Sequence, residues 1–364
     1  MTPATMPSDE RIHQLLHDFL VARLGSAARP RLAGLARVAT GRSRENWLVD
    51  LSWFEPAAPP RAQPADVPEN PPDAGSREPG PEREHTEPLI VRLDPEGGLL
   101  ETDRATEFAV LAALARSDLP APTPRWLDPT GQELGRPALL MVREPGECDY
   151  FVVNGERPLE ERVRLARRFC ELLAHVHRLD WHDLGLGEAL SDPGPGRAAG
   201  HELEQWQAIL RRDQLEAYPE LELAAWWLAR HAPTNTRTTL VHGDFKPGNV
   251  LLVDGEPGAL LDWELAHLGD PHEDLGWVTQ PLRTREHLIP GAWEREDLFQ
   301  HYEAVTGWEL DRHAIVWWNV LACYKTAVMQ VSGLRSYIEG RADELYQPTA
   351  AVLLALLDAV EGRS

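Results

Sequence analysis

The spacing of apolar and polar positions changes period several times along the chain. Ile12, Leu15, Leu16, Phe19 and Leu20 recur at helical spacing behind a Ser8 cap and predict a helix over 8–24. Residues 34–53 then alternate, which predicts two short strands about a turn at 41–45. Leu89-Ile-Val-Arg-Leu93 reads as a further strand. A helix follows over 101–116, with Phe108, Leu111, Ala112 and Leu114 inward, and Leu139-Leu-Met-Val142 is a short apolar strand. Beyond it helical spacing dominates, over 158–179, 201–214, 219–231, 292–306, 312–336 and 345–361. One β-rich island, with strand candidates at 239–241, 249–253 and 259–262, interrupts it. A β-rich front, a helical back and a polar hairpin near the junction predict an α+β chain in two lobes around a cleft. The N-terminal lobe would span 1–143, with a small antiparallel sheet, and the helical C-terminal lobe 144–364.

Residues 55–88 carry no such pattern. Their ten prolines, eight acids and three arginines, without one aromatic residue, cannot bury enough apolar surface to offset ordering, so they read as a disordered insertion. Only some 54 residues precede it, few for a separate domain, and the strand at 89–93 continues the same sheet. The insertion is therefore expected within a hairpin of one domain.

Charge removes several function classes. Asp and Glu total 58 against 36 Lys and Arg, a formal net charge of −22, which opposes nucleic-acid and anionic-membrane partners. The longest apolar run, Ala350 to Leu357, is too short to cross a bilayer. The N-terminus has neither a basic nor an apolar signal region, so a soluble, cytoplasmic protein is expected. The three cysteines are far apart and form no zinc or disulfide pattern; Cys148 and Cys170 read as small apolar residues.

Lysine occurs only at 246 and 325, so both positions depart from the arginine background of the chain. Lys246 falls inside the segment with the clearest chemistry, Leu240-Val-His-Gly-Asp-Phe-Lys-Pro-Gly-Asn249, followed by Leu261-Asp-Trp-Glu264. Phosphoryl transfer to an alcohol needs a carboxylate to take the hydroxyl proton, hard oxygen ligands for Mg²⁺, and a cation near the transferred group. Asp244, the pair Asn249 and Asp262, and Lys246 offer these within nineteen residues. A hairpin brings Asn249 and Asp262 to one end, where they can share an ion.

His242-Gly-Asp-x-x-x-x-Asn249 with Asp262-Trp-Glu264 resembles the aminoglycoside phosphotransferase/choline kinase-like family, and the string Leu261 to Leu275 is similar to the phosphotransferase domains fused to acyl-CoA dehydrogenases. The resemblance implies a two-lobed protein-kinase-like fold and an ATP- and Mg²⁺-dependent kinase, with GTP as the other donor, acting on a small hydroxylated molecule. Asp244 becomes the catalytic base, Lys246 a phosphate contact, Asn249 and Asp262 the metal ligands, and Glu264 a helper beside them. The hairpin of Gly41, Ser43 and Asn46 would cover the phosphates. Arg92 would stand where the family has lysine, paired with Glu107, and residues 141–144, Met141 and Arg143 among them, would form the hinge that meets the purine through backbone groups. The acyl branch suggests a hydroxy acid or hydroxyacyl-CoA, and the wider family an aminoglycoside or other antibiotic. The substitution at Arg92 keeps a non-catalytic nucleotide-binding protein in view, and His242-x-Asp244 a metal-dependent hydrolase. The number of subunits is open.

Plainer roles account for other residues. His242 is expected to shape the loop, and His177 and Asp180 to lock a helix end. Asp270 or Asp274 should cap a helix opening after Gly269, with a contact to substrate or to the catalytic loop as the alternative; His267 and His272 should be surface or capping residues, and Trp226-Trp227 and Trp317-Trp318 should fill cores.

Overall fold

The computed structural model describes residues 9–38, 45–55, 83–94, 103–234, 237–342 and 344–362. After helix α1 (Asp9–Leu24) come strands β1 (Arg31–Val38), β2 (Glu45–Glu55) and β3 (Arg83–Leu93), helix α2 (Arg104–Leu114), and strands β4 (Pro124–Asp128) and β5 (Ala138–Val142). The five strands make one antiparallel sheet in the order β1-β2-β3-β5-β4. Alternation decides its two faces. Trp47, Val49 and Leu51, with Leu89, Val91, Leu93, Ala138 and Leu140, bury against Ile12, Leu16, Phe19 and Leu20 of α1. The intervening Ile90, Leu139 and Met141 join the core that holds Val110, Leu111 and Leu114 of α2. Arg92 follows Ile90 by two and so projects toward α2, with Asn46 as its cross-strand partner.

The rest of the chain is mainly helical: α3 (Leu159–Arg178), α4 (Ala198–Asp213) and α5 (Pro219–His231), then α6 (His272–Thr279), α7 (Thr284–His287), α8 (Arg295–Thr306), α9 (Arg312–Ile338) and α10 (Ala350–Val360). Between α5 and α6 lie β6 (Thr239–Val241), β7 (Val250–Val253), β8 (Glu256–Leu260) and β9 (His267–Gly269), where β6 pairs with β9 and β7 with β8. Caps fix the helix starts. Asp103 accepts from the Ala105 amide at 2.9 Å, and Asp311 from His313 and Ala314 at 2.9 and 3.2 Å. Core residues of α4, α5, α9 and α10 form one cluster, including Trp206, Trp317, Trp318 and Tyr324. Among the described residues no helix is long and apolar enough to cross a membrane.

Three expectations need correction. Residues 83–88 are not part of a loop: they extend β3 against residues 50–55 of β2, so the pairing starts six residues earlier than the apolar run. The Pro-rich stretch 56–82 lies outside the described residues. The short strands β4 and β9 carry no apolar alternation of their own and were not expected. Trp226 is 58% exposed rather than packed, because α5 buries the stripe Leu221, Ala224, Ala225 and Leu228 on its opposite side.

Gly276 shows how tightly α6 meets α9. A Cβ there would lie 2.5 Å from the Trp318 Cβ and 2.7 Å from its carbonyl carbon. Gly276→Ala is expected to cost about 3 kcal/mol by forcing the helices apart, read as a lower midpoint in urea unfolding. An unchanged midpoint would show that the contact yields.

Candidate active site

β6 runs as a buried strand to Val241 and releases the chain into a loop over 242–246, closed by a turn at Pro247–Asn249 that feeds β7. Gly243 has φ +82°, and a Cβ on it would stand 2.7 Å from the Leu265 carbonyl, so this turn requires glycine twice over. Asp274 of α6 clamps the loop: its carboxylate accepts from the His242 amide at 2.8 Å and the Gly243 amide at 2.9 Å. His177 of α3 adds a third contact at 3.1 Å and meets the Tyr302 hydroxyl at 2.7 Å through its other nitrogen. Burial opposes the Asp274 charge, but the hydrogen bond and charge of His177 and the neighbouring His242 outweigh it and bring its pKa down to about 2. Asp274 is thus a contact of the loop itself rather than a helix cap, whereas Asp270 does cap, accepting from the His272 amide at 3.0 Å. His242 is fully buried and its Nε2 donates to the Leu261 carbonyl at 2.9 Å, in keeping with a loop-shaping role.

The loop presents Asp244. Its Oδ2 accepts from Lys246 Nζ at 2.5 Å and from Asn249 Nδ2 at 3.1 Å. Its Oδ1 is buried without a hydrogen-bond partner. Burial works against the Lys246 charge, the adjacent Asp244 carboxylate more than compensates, and the lysine pKa is raised. Asn249 also gives Nδ2 to the Asp244 carbonyl at 3.0 Å, which turns its amide oxygen away from the loop.

A second set of charges reaches this point from the sheet. Arg92 donates to Glu107 of α2 at 2.9 Å and to Asp262 at 2.8 Å. Burial disfavours the guanidinium charge, Glu107 and Asp262 outweigh it, and its pKa is raised. Glu107 also pairs with the buried Arg104, which donates to Asp94 as well. Asp262 does not end β8. It lies two residues beyond the strand, in the left-handed region with φ 66°, a strained position for a residue with a side chain and one common at functional sites. The Leu261 amide donates to the Asn249 carbonyl at 2.7 Å, which holds the two candidate metal ligands on adjoining stretches. An amide and a carboxylate form an all-oxygen donor set, which fits a hard divalent ion. Glu264 is half-buried in the next turn.

The remaining expected residues divide. Gly41 and Ser43 lie outside the described residues. Asn46, opposite Arg92, keeps a buried side-chain oxygen without a hydrogen-bond partner. Met141 is buried in β5 opposite Ile90. Arg143 gives its amide to the Pro88 carbonyl at 2.9 Å and its guanidinium to Asp50 at 2.8 Å.

Two residues near the loop, Arg283 and Tyr150, had no sequence signal. Arg283 Nη2 stands 3.9 Å from Asp244 Oδ1, its guanidinium carbon 4.4 Å above the Trp277 ring. Tyr150 covers Gly248, where an added Cβ would meet its ring at 2.4 Å. His267 is neither a surface nor a capping residue: Nε2 lies 3.0 Å from Glu273 and 3.5 Å from Glu202. Lys325, buried, meets Glu273 at 2.6 Å. Burial opposes the His267 charge, yet the two carboxylates raise its pKa to about 10. His267 and Lys325 thus face Glu202 and Glu273 in one cluster.

Comparison with known proteins agrees with this architecture. Residues 81–313 match the family model of the phosphotransferase enzyme family. Acyl-CoA dehydrogenase family member 10 of Mus musculus is 32% identical over 195 residues, 52% of this chain but 18% of that protein, so the chain matches under a fifth of that relative's length. Among solved structures, a Ralstonia eutropha protein assigned as an aminoglycoside phosphotransferase superposes with TM-score 0.63 at 19% identity, over 96% of this chain and 94% of that one. An aminoglycoside phosphotransferase solved with streptomycin and ATP gives 0.51 at 15% identity, over 87% and 89%. These structural likenesses are of fold. With the match over most of its length and the kinase-like arrangement of sheet, loop and helices, the chain belongs to the phosphotransferase enzyme family.

Proposed function

We propose that this phosphotransferase moves the γ-phosphoryl group of Mg-ATP to the hydroxyl of a small hydroxy acid or hydroxyacyl-CoA, with Asp244 as the base. The observation that carries the reading is the division of labour on one carboxylate: Oδ2 is held by Lys246 and Asn249, while the buried Oδ1 has no partner. Oδ1 takes the hydroxyl proton as the acceptor oxygen bonds to phosphorus and the bond to the ADP oxygen breaks. Lys246 offsets negative charge at the transferred group, and Arg92, fixed by Glu107, grips the preceding phosphates. Asn249 and Asp262, with Glu264 beside them, would hold a divalent ion, which when bound neutralises phosphate charge. The acyl-type acceptor rests on likeness to acyl-CoA dehydrogenase family member 10; aminoglycosides remain the comparison class.

The test has two stages on the full chain. ATP is expected to raise the melting temperature only when Mg²⁺ is present, with GTP run beside it. Hydroxy acids, hydroxyacyl-CoAs and aminoglycosides are then compared in a coupled ADP-release assay. Absence of a Mg²⁺-dependent shift with either nucleotide would defeat the kinase reading, and turnover of aminoglycosides alone would move the acceptor to the antibiotic class.

A further inference from the structure

Arg283 lies outside every residue given a role above, although its guanidinium is beside the reacting carboxylate. At 3.9 Å from Asp244 Oδ1, Nη2 is too far for a hydrogen bond, so Arg283 approaches the base without being consumed by it. The side chain is nonetheless fixed. Its Nη1 donates to both carboxylate oxygens of Glu286, at 3.0 and 3.2 Å, and Trp277 supports the planar group from one face. The segment that carries it is tied down as well: Asn154 Nδ2 donates to the carbonyls of Arg285 and Leu288 at 2.8 and 2.7 Å. That link joins the 283–288 stretch to the loop of Tyr150 and Phe151, both about half exposed at 50% and 51%. Arg285 lies over the Phe151 ring and Lys246 6.0 Å from the Tyr150 ring centre, so cations and aromatic rings share this rim.

Around Asp244 stand Lys246, on which Asp262 also acts, and Arg283, paired with Glu286, while Arg285 lies over the Phe151 ring. Burial raises the Glu286 pKa despite the nearby Arg283. A polycationic acceptor would meet two arginines and a lysine here. An anionic one would meet a preorganised fork.

We infer that Arg283 is a specificity residue that binds a carboxylate or phosphate on the same molecule whose hydroxyl reaches Asp244. The inference rests on the reading of Asp244 as the base and narrows the proposed acceptor to an alcohol with a free anionic group a few bonds from the reacting oxygen, a hydroxy acid or hydroxy phosphate rather than a hydroxyacyl thioester. A planar fork can bind either anion bidentately, which a lysine cannot.

The test compares four acceptors in the coupled ADP-release assay: 3-hydroxybutyrate, glycerol 3-phosphate, 1,3-butanediol and 4-amino-2-butanol. The first, third and fourth share one carbon frame and differ in charge. For the parent enzyme, kcat/KM is expected to favour the two anions over the diol and the amine by at least about tenfold. The two anions compared with each other show whether carboxylate or phosphate is preferred. Arg283→Gln should bring the four within about threefold, chiefly through KM for the anions, and Arg283→Glu should turn preference toward the amine. Because the readout is a ratio, a partly misfolded variant does not mimic the result, and Arg283→Lys should keep part of the anion preference. Equal use of the four acceptors by the parent, no stimulation by either anion, or an equal loss on all four in Arg283→Gln overturns the inference; the last would place Arg283 on the nucleotide phosphate. Failure of the parent to bind Mg-ATP would instead strike the kinase reading, and the melting experiment with nucleotide detects that separately.

Discussion

Asp244→Asn lowers acceptor-dependent ADP release by about a thousandfold, while melting temperature and Mg-nucleotide binding stay near those of the parent. The substitution is nearly isosteric, and the geometry explains why the fold should tolerate it. The side-chain oxygen of asparagine can still accept from Lys246 and Asn249, the two groups now on Oδ2. What is lost is the second oxygen, buried and without a partner, as a proton acceptor. A base contributes roughly two to four orders of magnitude to such a step, so the expected loss falls within that range. The kcat term should carry most of it, because the interaction with the proton develops during transfer rather than on binding. Parent-like turnover in this variant, with ADP and phosphorylated product both measured, would remove Asp244 from the chemistry and with it the proposed mechanism.

Most of this site could be found from spacing, because its residues are close in sequence. Asp244, Lys246 and Asn249 sit on one turn, and Asp262 returns with the hairpin, so local geometry alone brings them near one another. Arg92 and Glu107 needed the family pattern, since a strand and a helix must pack before they meet; the structure places them 2.9 Å apart. Arg283 carried no such signal, and for Asp274 a contact with the loop stood only as the alternative to a helix cap. Each reaches the loop through packing of α6 and its following segment, and no periodicity relates residue 274 to residue 242. The strand extension at 83–88 was hidden for another reason. Arg-Glu-His-Thr-Glu-Pro is polar throughout, and only the backbone ladder to the end of β2 makes it a strand. Trp226, by contrast, was legible. It falls between Ala225 and Leu228 but off the stripe that those residues form, and counting the helical angle would have put it outside.

The largest stability effect is expected at Asp274 rather than at any group that touches substrate. Its two oxygens satisfy the His242 and Gly243 amides and His177, all buried, so Asp274→Ala leaves two backbone donors and the Nε2 of His177 without these partners. Such a loss costs about 3–5 kcal/mol, and the loop that orients Asp244 loosens with it. Asp274→Asn preserves volume but turns one amide nitrogen toward a donor, so it should recover stability only in part. The pH dependence separates a lost charge from lost shape. A carboxylate with a pKa near 3.9 in the unfolded chain and about 2 in the folded protein contributes stability that is fully present well above pH 4. That contribution falls as pH drops through the folded value, because the unfolded chain takes up the proton first. Urea unfolding of parent and Asn variant should therefore show a gap that narrows by about 1 kcal/mol between pH 6 and pH 3. A gap of constant size would mean that the Asp274 carboxylate is not the group that titrates, and that the clamp on the loop owes its strength to shape alone.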